Sequence, residues 1–356
     1  MTLVELGGWP AVLAPLTRGR DLSAEEVAAA ATEILQGTAT PAQMAAFAVG
    51  LRMKGETVEE MAALLDVLVA FGERVTLAEG TDAVDTCGTG GDRACTINAS
   101  TVAALVVAGA GASVCKHGNR SQSSQCGSAD LLEALGVAVS IGPAGVAACV
   151  AEAGMGFCFA PRYHPAFRHV GPTRRELGVP TVFNFLGPVA NPAGVRRQVL
   201  GVSDPAMADK LVGVLQARGA ERALVVHGHD GLDELSTITT STVLELRDGT
   251  VRTYEVDPVR LGLKPAGLED IQGGDPRTNA ELARRVLDGE PGPKRDFVVL
   301  NAAAGLVAAG LAEDLAEGLI LATASVDDGR AAAALQRLVT VSNEQAAAEA
   351  DAGVTD

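Results

Sequence analysis

Three short polar segments of this chain contain the residue types needed to bind a phosphate-bearing group. The first is Gly88–Asp92, with the sequence Gly-Thr-Gly-Gly-Asp, which follows a short buried strand predicted at residues 83–87. A glycine turn between a strand and a helix brings backbone N–H groups close to an anion. The same turn is also a common connection, and it fits neither of two known motifs. Arg93 stands where the dinucleotide fingerprint needs glycine, and no Gly-Lys-Ser/Thr follows.

The second segment, Lys116–Arg120, has the sequence Lys-His-Gly-Asn-Arg and ends a strand predicted at residues 112–116. A loop rich in serine continues from it to Ser128. Two cations together with several hydroxyl groups suit a polyphosphate, and open α/β sheets bind their ligands at this carboxyl edge. Taken alone, the segment is also compatible with an ordinary solvated basic loop.

The third segment is the carboxylate pair Asp233-Glu234, which follows a strand predicted at residues 222–227. Two hard oxygen ligands near a diphosphate suit Mg²⁺, which completes its shell with water and phosphate oxygens. The alternative is that Asp233 caps a helix that begins near Leu235. His227 and His229 lie nearby, but no third zinc ligand accompanies them, so zinc is not favoured.

The elements that must position these segments alternate between short apolar strands and alanine-rich helices from residue 82 onwards. This alternation predicts an α/β domain with a central, mostly parallel sheet. Residues 242–256, with Asp248-Gly249 in the middle, predict a β-hairpin. The predicted strands are 83–87, 112–116, 137–141, 156–160, 198–202, 222–227 and 296–300, and further helices are predicted at 278–289, 302–325 and 328–348.

The first 75 residues predict a small helical domain. Ser23 with Glu26 forms a capping box, Thr40-Pro41 begins a second helix, and Thr57 with Glu60 begins a third. Each of these helices has an apolar face, as expected for a small bundle or for a face that contacts another subunit.

Residues 161–192, here called the return segment, are rich in proline and glycine and carry four arginines, Arg162, Arg168, Arg174 and Arg175. Their position predicts a crossing back to the helical domain, which makes the segment a hinge and a candidate ligand site. The predicted domains are therefore 1–75, joined by the returning residues 172–190, and 76–171 with 191–356.

Composition limits the classes of partner. The net charge of −16 over 356 residues argues against nucleic acid and anionic membranes, because both attract basic surfaces. The six cysteines form no C-x-x-C pair, and most lie in apolar surroundings, which favours reduced core thiols. Neither a signal peptide nor an apolar stretch long enough to span a membrane is visible, so we expect a cytoplasmic protein.

Together these motifs resemble those of the anthranilate phosphoribosyltransferases, and they occur in the same order as in that family. The resemblance covers almost the whole chain, including Val182–Pro188 and the residues 301–303. It implies the same two-domain fold and a homodimer formed through the helical domain. The motifs are Gly88–Asp92, Asn98–Thr101, Lys116–Asn119, Gly127–Asp130 and Asp233-Glu234.

The resemblance also implies roles for individual residues. Lys116, Asn119 and Arg174 are implied as catalytic, and Ser100, Asp233 and Glu234 as metal ligands. Gly88, His117, Asn119 and Arg174 are implied contacts of anthranilate, with Arg174 meeting its carboxylate. The implied contacts of phosphoribosyl diphosphate (PRPP) are Gly88, Gly91, Asp92, Thr96, Asn98, Ala99, Ser100, Thr101, Lys116, His117, Gly118, Asn119, Arg120, Ser121, Gln122, Ser123, Ser124 and Ser128.

The implied reaction transfers the phosphoribosyl group of PRPP to the amine of anthranilate in tryptophan biosynthesis. The implied cofactor is Mg²⁺, with two ions bound. The chain departs from the family pattern at Cys87, Cys95 and Cys126 and in the loop Ser121–Cys126. Neither departure removes a charged or metal-binding group, so they bear on loop mobility more than on activity.

Two alternatives have different signatures. A pyrimidine nucleoside phosphorylase shares the Lys-His start of the second segment but continues with serine, whereas this chain has Gly118 and Asn119. A non-catalytic relative that binds nucleic acid would be basic and could lack the acidic pair, whereas this chain is acidic and retains Asp233-Glu234. The transferase is therefore the favoured interpretation.

Overall fold

The computed structural model describes residues 1–92, 94–121 and 125–353. It has a small N-terminal helical domain and a large α/β domain with a seven-stranded sheet. This is the fold class that the sequence predicts. Within the described ranges, no helix has both the length and the apolar character needed to cross a membrane.

The helical domain begins with four helices: α1 (Trp9–Leu16), α2 (Ala24–Gln36), α3 (Pro41–Lys54) and α4 (Val58–Ala70). The capping box at Ser23 is confirmed, and Thr40 and Thr57 form two more with the residues three positions on. Helix α1 is additional to the three predicted helices. Its Trp9 ring lies against Phe47 of α3.

The sheet has the strand order β3-β2-β1-β4-β5-β6-β7. The five strands from β3 to β5 are parallel, and β6 and β7 form the predicted antiparallel hairpin. The carboxyl ends of β2, β1, β4 and β5 therefore lie side by side. The strands are β1 (Val84–Gly88), β2 (Val114–Gly118), β3 (Met155–Phe159), β4 (Arg197–Gly201), β5 (Arg222–Gly228), β6 (Ser241–Arg247) and β7 (Thr250–Val256).

Helices cover both faces of the sheet. Neighbouring residues of one strand enter different apolar clusters on the two faces of the sheet, as Val199 and Leu200 of β4 do. The cluster that contains Leu200 also contains the core of the helical domain. The helices of the large domain are α5 (Ala99–Gly109), α6 (Ser128–Leu135), α7 (Pro143–Ala153), α11 (Ala208–Ala217), α12 (Leu268–Ile271), α13 (Pro276–Leu287), α14 (Pro293–Ala309), α15 (Leu315–Asp327) and α16 (Arg330–Asp351).

The return segment contains three short helices, α8 (Ala160–Tyr163), α9 (Gly171–Leu177) and α10 (Val182–Leu186). Val170, Val182 and Phe183 belong to the same apolar cluster as Phe47 and Leu64 of the helical domain. The return segment thus packs against α2, α3 and α4. Division of the chain at residues 75, 171 and 191 stays a prediction.

Two predicted strands are wrong. Residues 137–141, all of which the structure describes, form no strand, and two of their backbone groups bond to side chains. The Ala138 N–H donates to Ser342 Oγ at 3.1 Å, and Tyr163 Oη donates to the Ile141 carbonyl at 3.0 Å. Alternating buried residues therefore mimicked a strand.

The other wrong strand, 296–300, lies inside α14, which is buried on every side over its last thirteen residues. Periodicity cannot separate a wholly apolar helix from a buried strand. The single helix predicted at 302–325 is also wrong, because Gly310 ends α14 with a φ of 79° and Asp314 caps α15.

Candidate active site

The structure brings the three polar segments to one edge of the sheet. Gly88 at the end of β1 pairs in register with Gly201 at the end of β4, and β2 lies on the other side of β1. Gly88–Asp92, Lys116–Arg120 and Asp233-Glu234 each follow one of these parallel strands or their neighbour β5. The carboxyl edge is where open α/β sheets bind ligands.

Asp233 lies directly over the ends of β1 and β4. Its Oδ2 atom accepts a hydrogen bond from the Gly90 N–H at 2.7 Å. A Cβ atom at Gly88 would lie 2.2 Å from Asp233 Oδ2, and one at Gly201 would lie 1.5 Å from the Asp233 carbonyl oxygen. Glycine at 88 and 201 is therefore required by the approach of Asp233, a role that the phosphate interpretation of the turn did not include. Residues 234–240, which directly follow Asp233, form no helix, so Asp233 caps none.

Glu234 connects the acidic pair to the start of α5. Its Oε1 atom accepts from the Ser100 N–H at 3.1 Å, and its Oε2 atom is buried without a hydrogen-bond partner. Burial, and then the charges of Asp233 and Asp92, raise the pKa of Glu234 well above its usual value. Burial, followed by Asp92, raises the pKa of Asp233 to about 7. Three carboxyl groups thus gather at one point.

This arrangement fits a bound divalent cation. A cation that prefers oxygen ligands would reduce the repulsion between these like charges. It would also give the buried oxygen atom a partner. Within the described ranges, no group of three or more His, Cys, Asp or Glu side chains is placed so that it could hold a metal ion, so the cation would depend on fewer protein ligands. Asp233 and Glu234 suit Mg²⁺ in particular, because it takes few protein ligands and completes its shell with phosphate and water.

The predicted contacts at the start of α5 lie beside the acidic pair. Asn98 precedes α5, donates to the Cys126 carbonyl at 2.9 Å and accepts from Asn279 Nδ2 at 2.8 Å. Thr96 forms an isolated bridge with Gln272. Ala99 and Thr101 are buried, and Thr101 Oγ1 has no hydrogen-bond partner. Asn279 and Gln272, which the sequence analysis missed, hold this turn in place.

Lys116 and His117 point to opposite faces of the sheet, as neighbouring strand residues do. Lys116 is buried and its Nζ atom donates to the Thr86 carbonyl of β1. His117 is buried with its ring 5.2 Å from that of His164, and its Nε2 atom has no hydrogen-bond partner. Burial, and then His164, lower the pKa of His117 to about 3. The neutral ring therefore faces the return segment.

The residues after β2 are tied to the start of α6. Gly118 leaves room for Ser128, because a Cβ there would lie 2.2 Å from Ser128 Oγ, which donates to the Asn119 carbonyl at 3.1 Å. Arg120 pairs with Asp130 at 2.8 Å and with Glu133 at 2.6 Å, and Asp130 also accepts from the Ser121 N–H.

The guanidinium group of Arg120 is therefore directed to α6 rather than to Gly88–Asp92. Its predicted contact with PRPP stays a prediction, as do those of Gly91, Asp92, Asn119 and Ser121. The predicted contacts Gln122, Ser123 and Ser124 lie outside the described residues.

Arg174 lies on α9 of the return segment, not on the sheet edge. Its Nε atom is buried without a hydrogen-bond partner, and burial lowers its pKa. A buried guanidinium nitrogen of this kind is suited to an anionic ligand. His164, which the sequence analysis did not select, also lies in the return segment, and its Nε2 atom donates to the Ala190 carbonyl at 2.8 Å. A histidine inside a turn-rich segment was the signal available in the sequence.

Comparison with known proteins assigns the class and the family. A model of the glycosyl transferase family, a/b domain, matches residues 80–332, and the helical bundle domain of that family matches residues 10–72. Fold and site thus define a two-domain glycosyltransferase. The anthranilate phosphoribosyltransferase of Roseiflexus castenholzii is 52% identical over 330 residues, which cover 92% of this chain and 96% of that protein.

Solved structures agree with this assignment. The anthranilate phosphoribosyltransferase of Thermus thermophilus has a TM-score of 0.88 at 42% identity, covering 93% of this chain and 99% of that one. The Saccharomyces cerevisiae enzyme, solved in complex with PRPP and Mg, has a TM-score of 0.86 at 27% identity, covering 94% and 98%. The chain belongs to the anthranilate phosphoribosyltransferase family.

Proposed function

We propose that the protein transfers the phosphoribosyl group of PRPP to the amine of anthranilate and releases diphosphate, as a step of tryptophan biosynthesis. The observation that carries this proposal is the meeting of the glycine turn, the start of α5 and the acidic pair, where Glu234 Oε2 is buried without a partner. Family membership supports the reaction, and this geometry supports the carboxyl edge of the sheet as the proposed diphosphate site.

The diphosphate half of the site is supported by charge. We infer that Asp233 and Glu234, with Ser100, hold Mg²⁺. When bound, Mg²⁺ would neutralise the diphosphate and stabilise it as a leaving group. The Saccharomyces cerevisiae relative solved with PRPP and Mg supports this cofactor. Gly88–Asp92 and Asn98–Thr101 would contact the same ligand, and Lys116 would add positive charge beneath it.

The acceptor half is supported by the unpaired polar atoms near the return segment. Arg174 would bind the carboxylate of anthranilate, and Asn119 would orient its ring and amine. His117 would line the passage between the two substrates together with Gly88. Because burial keeps His117 neutral at pH 7, it does not repel the positive charge that develops on the ribose.

The chemical step needs little acid–base help from the protein. The bond from ribose C1 to the diphosphate oxygen breaks with its electron pair leaving on the diphosphate, and the amine nitrogen supplies the pair for the new C1–N bond. An aromatic amine is unprotonated at neutral pH, so it attacks directly and loses its proton to solvent afterwards. Positioning and electrostatic stabilisation therefore carry the catalysis.

The return segment would exclude water, a competing acceptor, by bringing the helical domain over the sheet edge. We infer that it acts as a hinge between residues 1–75 with 172–190 and the rest of the chain. We also propose that the enzyme binds two Mg²⁺ ions, forms a homodimer through the helical domain and acts in the cytoplasm, with neither nucleic acid nor membrane as partner.

The test is the loss of anthranilate fluorescence. Micromolar enzyme with PRPP and Mg²⁺ should consume anthranilate, and addition of a chelator should stop the reaction. A steady fluorescence signal with folded protein would refute the proposed function. Phosphate-dependent cleavage of a pyrimidine nucleoside by the same preparation would instead favour the phosphorylase.

A further inference from the structure

A buried carboxylate lies inside β1, next to the active site but outside every group assigned to it. Asp85 has no exposed surface, and its two oxygen atoms have different partners. Oδ1 accepts from the His117 N–H of β2 at 3.1 Å, and Oδ2 accepts from Asn191 Nδ2 of the return segment at 2.8 Å. One carboxyl group therefore links the end of β2 to the end of the return segment.

The amide of Asn191 uses both its donors and its acceptor at this position. Its Nδ2 atom also donates to the Cys115 carbonyl at 2.8 Å, so both amide hydrogens are used. Its Oδ1 atom accepts from the Ala193 N–H at 2.9 Å. An aspartate would lack the two donors, and a flipped amide would place its oxygen against two acceptors. The orientation of the amide is fixed by its partners.

The same stretch of backbone is held at two further points. Gln198 Nε2 donates to the Pro188 carbonyl at 2.8 Å, and the His164 ring contacts the Ala190 carbonyl. Thus the residues that end the return segment are held by side chains of β1 and β4 and by one from earlier in the return segment itself. Upstream in the same segment lies Arg174, and two residues after His117 lies Asn119.

Burying a carboxylate is expensive unless its partners compensate for lost hydration. Lys116 and the two hydrogen bonds offset part of this cost, but burial still raises the pKa of Asp85 to about 6. An apolar side chain would fill the same strand position at lower cost. The directional bonds to two separate segments are what a carboxylate adds.

We propose that Asp85 and Asn191 are positioning residues that set the Arg174-bearing return segment against the strand end that carries His117 and Asn119. They touch neither substrate. Their effect falls on the anthranilate half of the site, because the diphosphate half is built by Asp233, Glu234 and the start of α5. This inference rests on the proposed function.

The experiment compares Asp85→Asn, Asn191→Ser and the double variant Asp85→Asn with Asn191→Ser. Each single change should raise the KM for anthranilate about tenfold, the size of one lost charged hydrogen bond, with the KM for PRPP unchanged. Because the two side chains act through a shared hydrogen bond, their effects should not be independent. The double variant should therefore raise the KM for anthranilate by less than the product of the two single increases. Asp82→Asn, an exposed residue at the other end of β1, is the matched control and should change neither constant.

Several outcomes would overturn the positioning role: equal changes in both KM values, a fall in kcat alone, or single increases that multiply in the double variant. If Asp85→Asn does not fold, as judged by its thermal transition, Asn191→Ser decides the question alone. An original enzyme that leaves anthranilate unconsumed would overturn the proposed function instead, so the two failures are distinguishable.

Discussion

The two edges of the parallel sheet differ in whether their charged side chains are paired. At the amino edge, where β1 and β4 begin, each arginine has its own partners. Arg197 pairs with Asp82 at 2.8 Å and donates to the Ala309 carbonyl at 2.7 Å, and Arg196 pairs with Glu221 at 3.0 Å. At the carboxyl edge, like charges gather and buried polar atoms lack partners.

This difference shows which property identifies a functional site. The amino edge has a cavity of about 530 Å³ lined by several arginines, yet Arg196, Arg197 and Arg218 are paired with carboxylates. The carboxyl edge has clustered carboxylates and buried polar atoms without partners. Their burial is unfavourable until a ligand supplies the missing partner. Buried groups without partners are therefore a better guide to function than cavity volume.

The largest expected effect follows removal of the acidic pair. Asp233→Asn with Glu234→Gln keeps the shape of both side chains but removes their charge. We expect kcat/KM to fall by at least about 100-fold, because direct metal ligands matter more than the partners behind them. The dependence of the rate on Mg²⁺ concentration should shift to higher concentration in each single variant.

The matched change at the amino edge is Glu221→Gln, which removes a carboxylate from the arginine-lined cavity. It should leave both kcat/KM and the Mg²⁺ dependence unchanged. An equal loss of activity in this variant would contradict the functional difference between the edges.

A smaller effect is expected when the unpaired guanidinium group is removed. Arg174→Ala should raise the KM for anthranilate about 10- to 100-fold, since a hydrogen bond to a charged group contributes about 1.5–3 kcal/mol. The KM for PRPP should stay constant. Steady-state kinetics with each substrate varied in turn measures both, and a rise confined to PRPP would reverse the proposed order of the two sites.

Much of this site was predictable because its residues follow buried strands along the chain. Because Gly88, Lys116 and Asp233 lie at or after the ends of the strands predicted as β1, β2 and β5, the sequence predicts that they share one edge of the sheet. The sequence could not predict that Gly88 makes room for Asp233, a residue 145 positions away, because this depends on strand register. It also could not predict that Arg120 turns to α6, since the sequence alone does not show that Asp130 and Glu133 come within reach of its guanidinium group.

A charged residue in a buried strand was a usable signal that the sequence analysis passed over. Asp85 is the one charged residue of β1, at a buried position where a structural role would favour valine or isoleucine. The two wrong strands, 137–141 and 296–300, share the opposite problem. Most of their side chains are buried, but burial alone does not reveal whether the backbone pairs with a strand, a helix or side chains.

A moderate effect on stability is expected at His117. Its pKa in the folded protein, about 3, is below the ordinary value of 6.5, so the unfolded chain binds a proton that the folded chain rejects. The free energy of unfolding should therefore decrease as the pH falls below 6.5. Relative to His117→Asn, the original protein should lose on the order of 2 kcal/mol more between pH 7 and pH 5. Urea denaturation at the two pH values measures this, and parallel losses in both proteins would contradict it.

The smallest effect is expected at the amino edge, for Asp82→Asn. The side chain of Asp82 is 63% exposed, so its ion pair with Arg197 is screened by water and should contribute less than about 1 kcal/mol. Arg197 also keeps its hydrogen bond to the Ala309 carbonyl and its contact with Glu221 at 3.4 Å. Thermal unfolding should change little and kcat should not change. A loss of more than about 2 kcal/mol would mean that the paired edge is as sensitive to a single charge as the unpaired one. In that case, the contrast between the edges would be one of geometry alone.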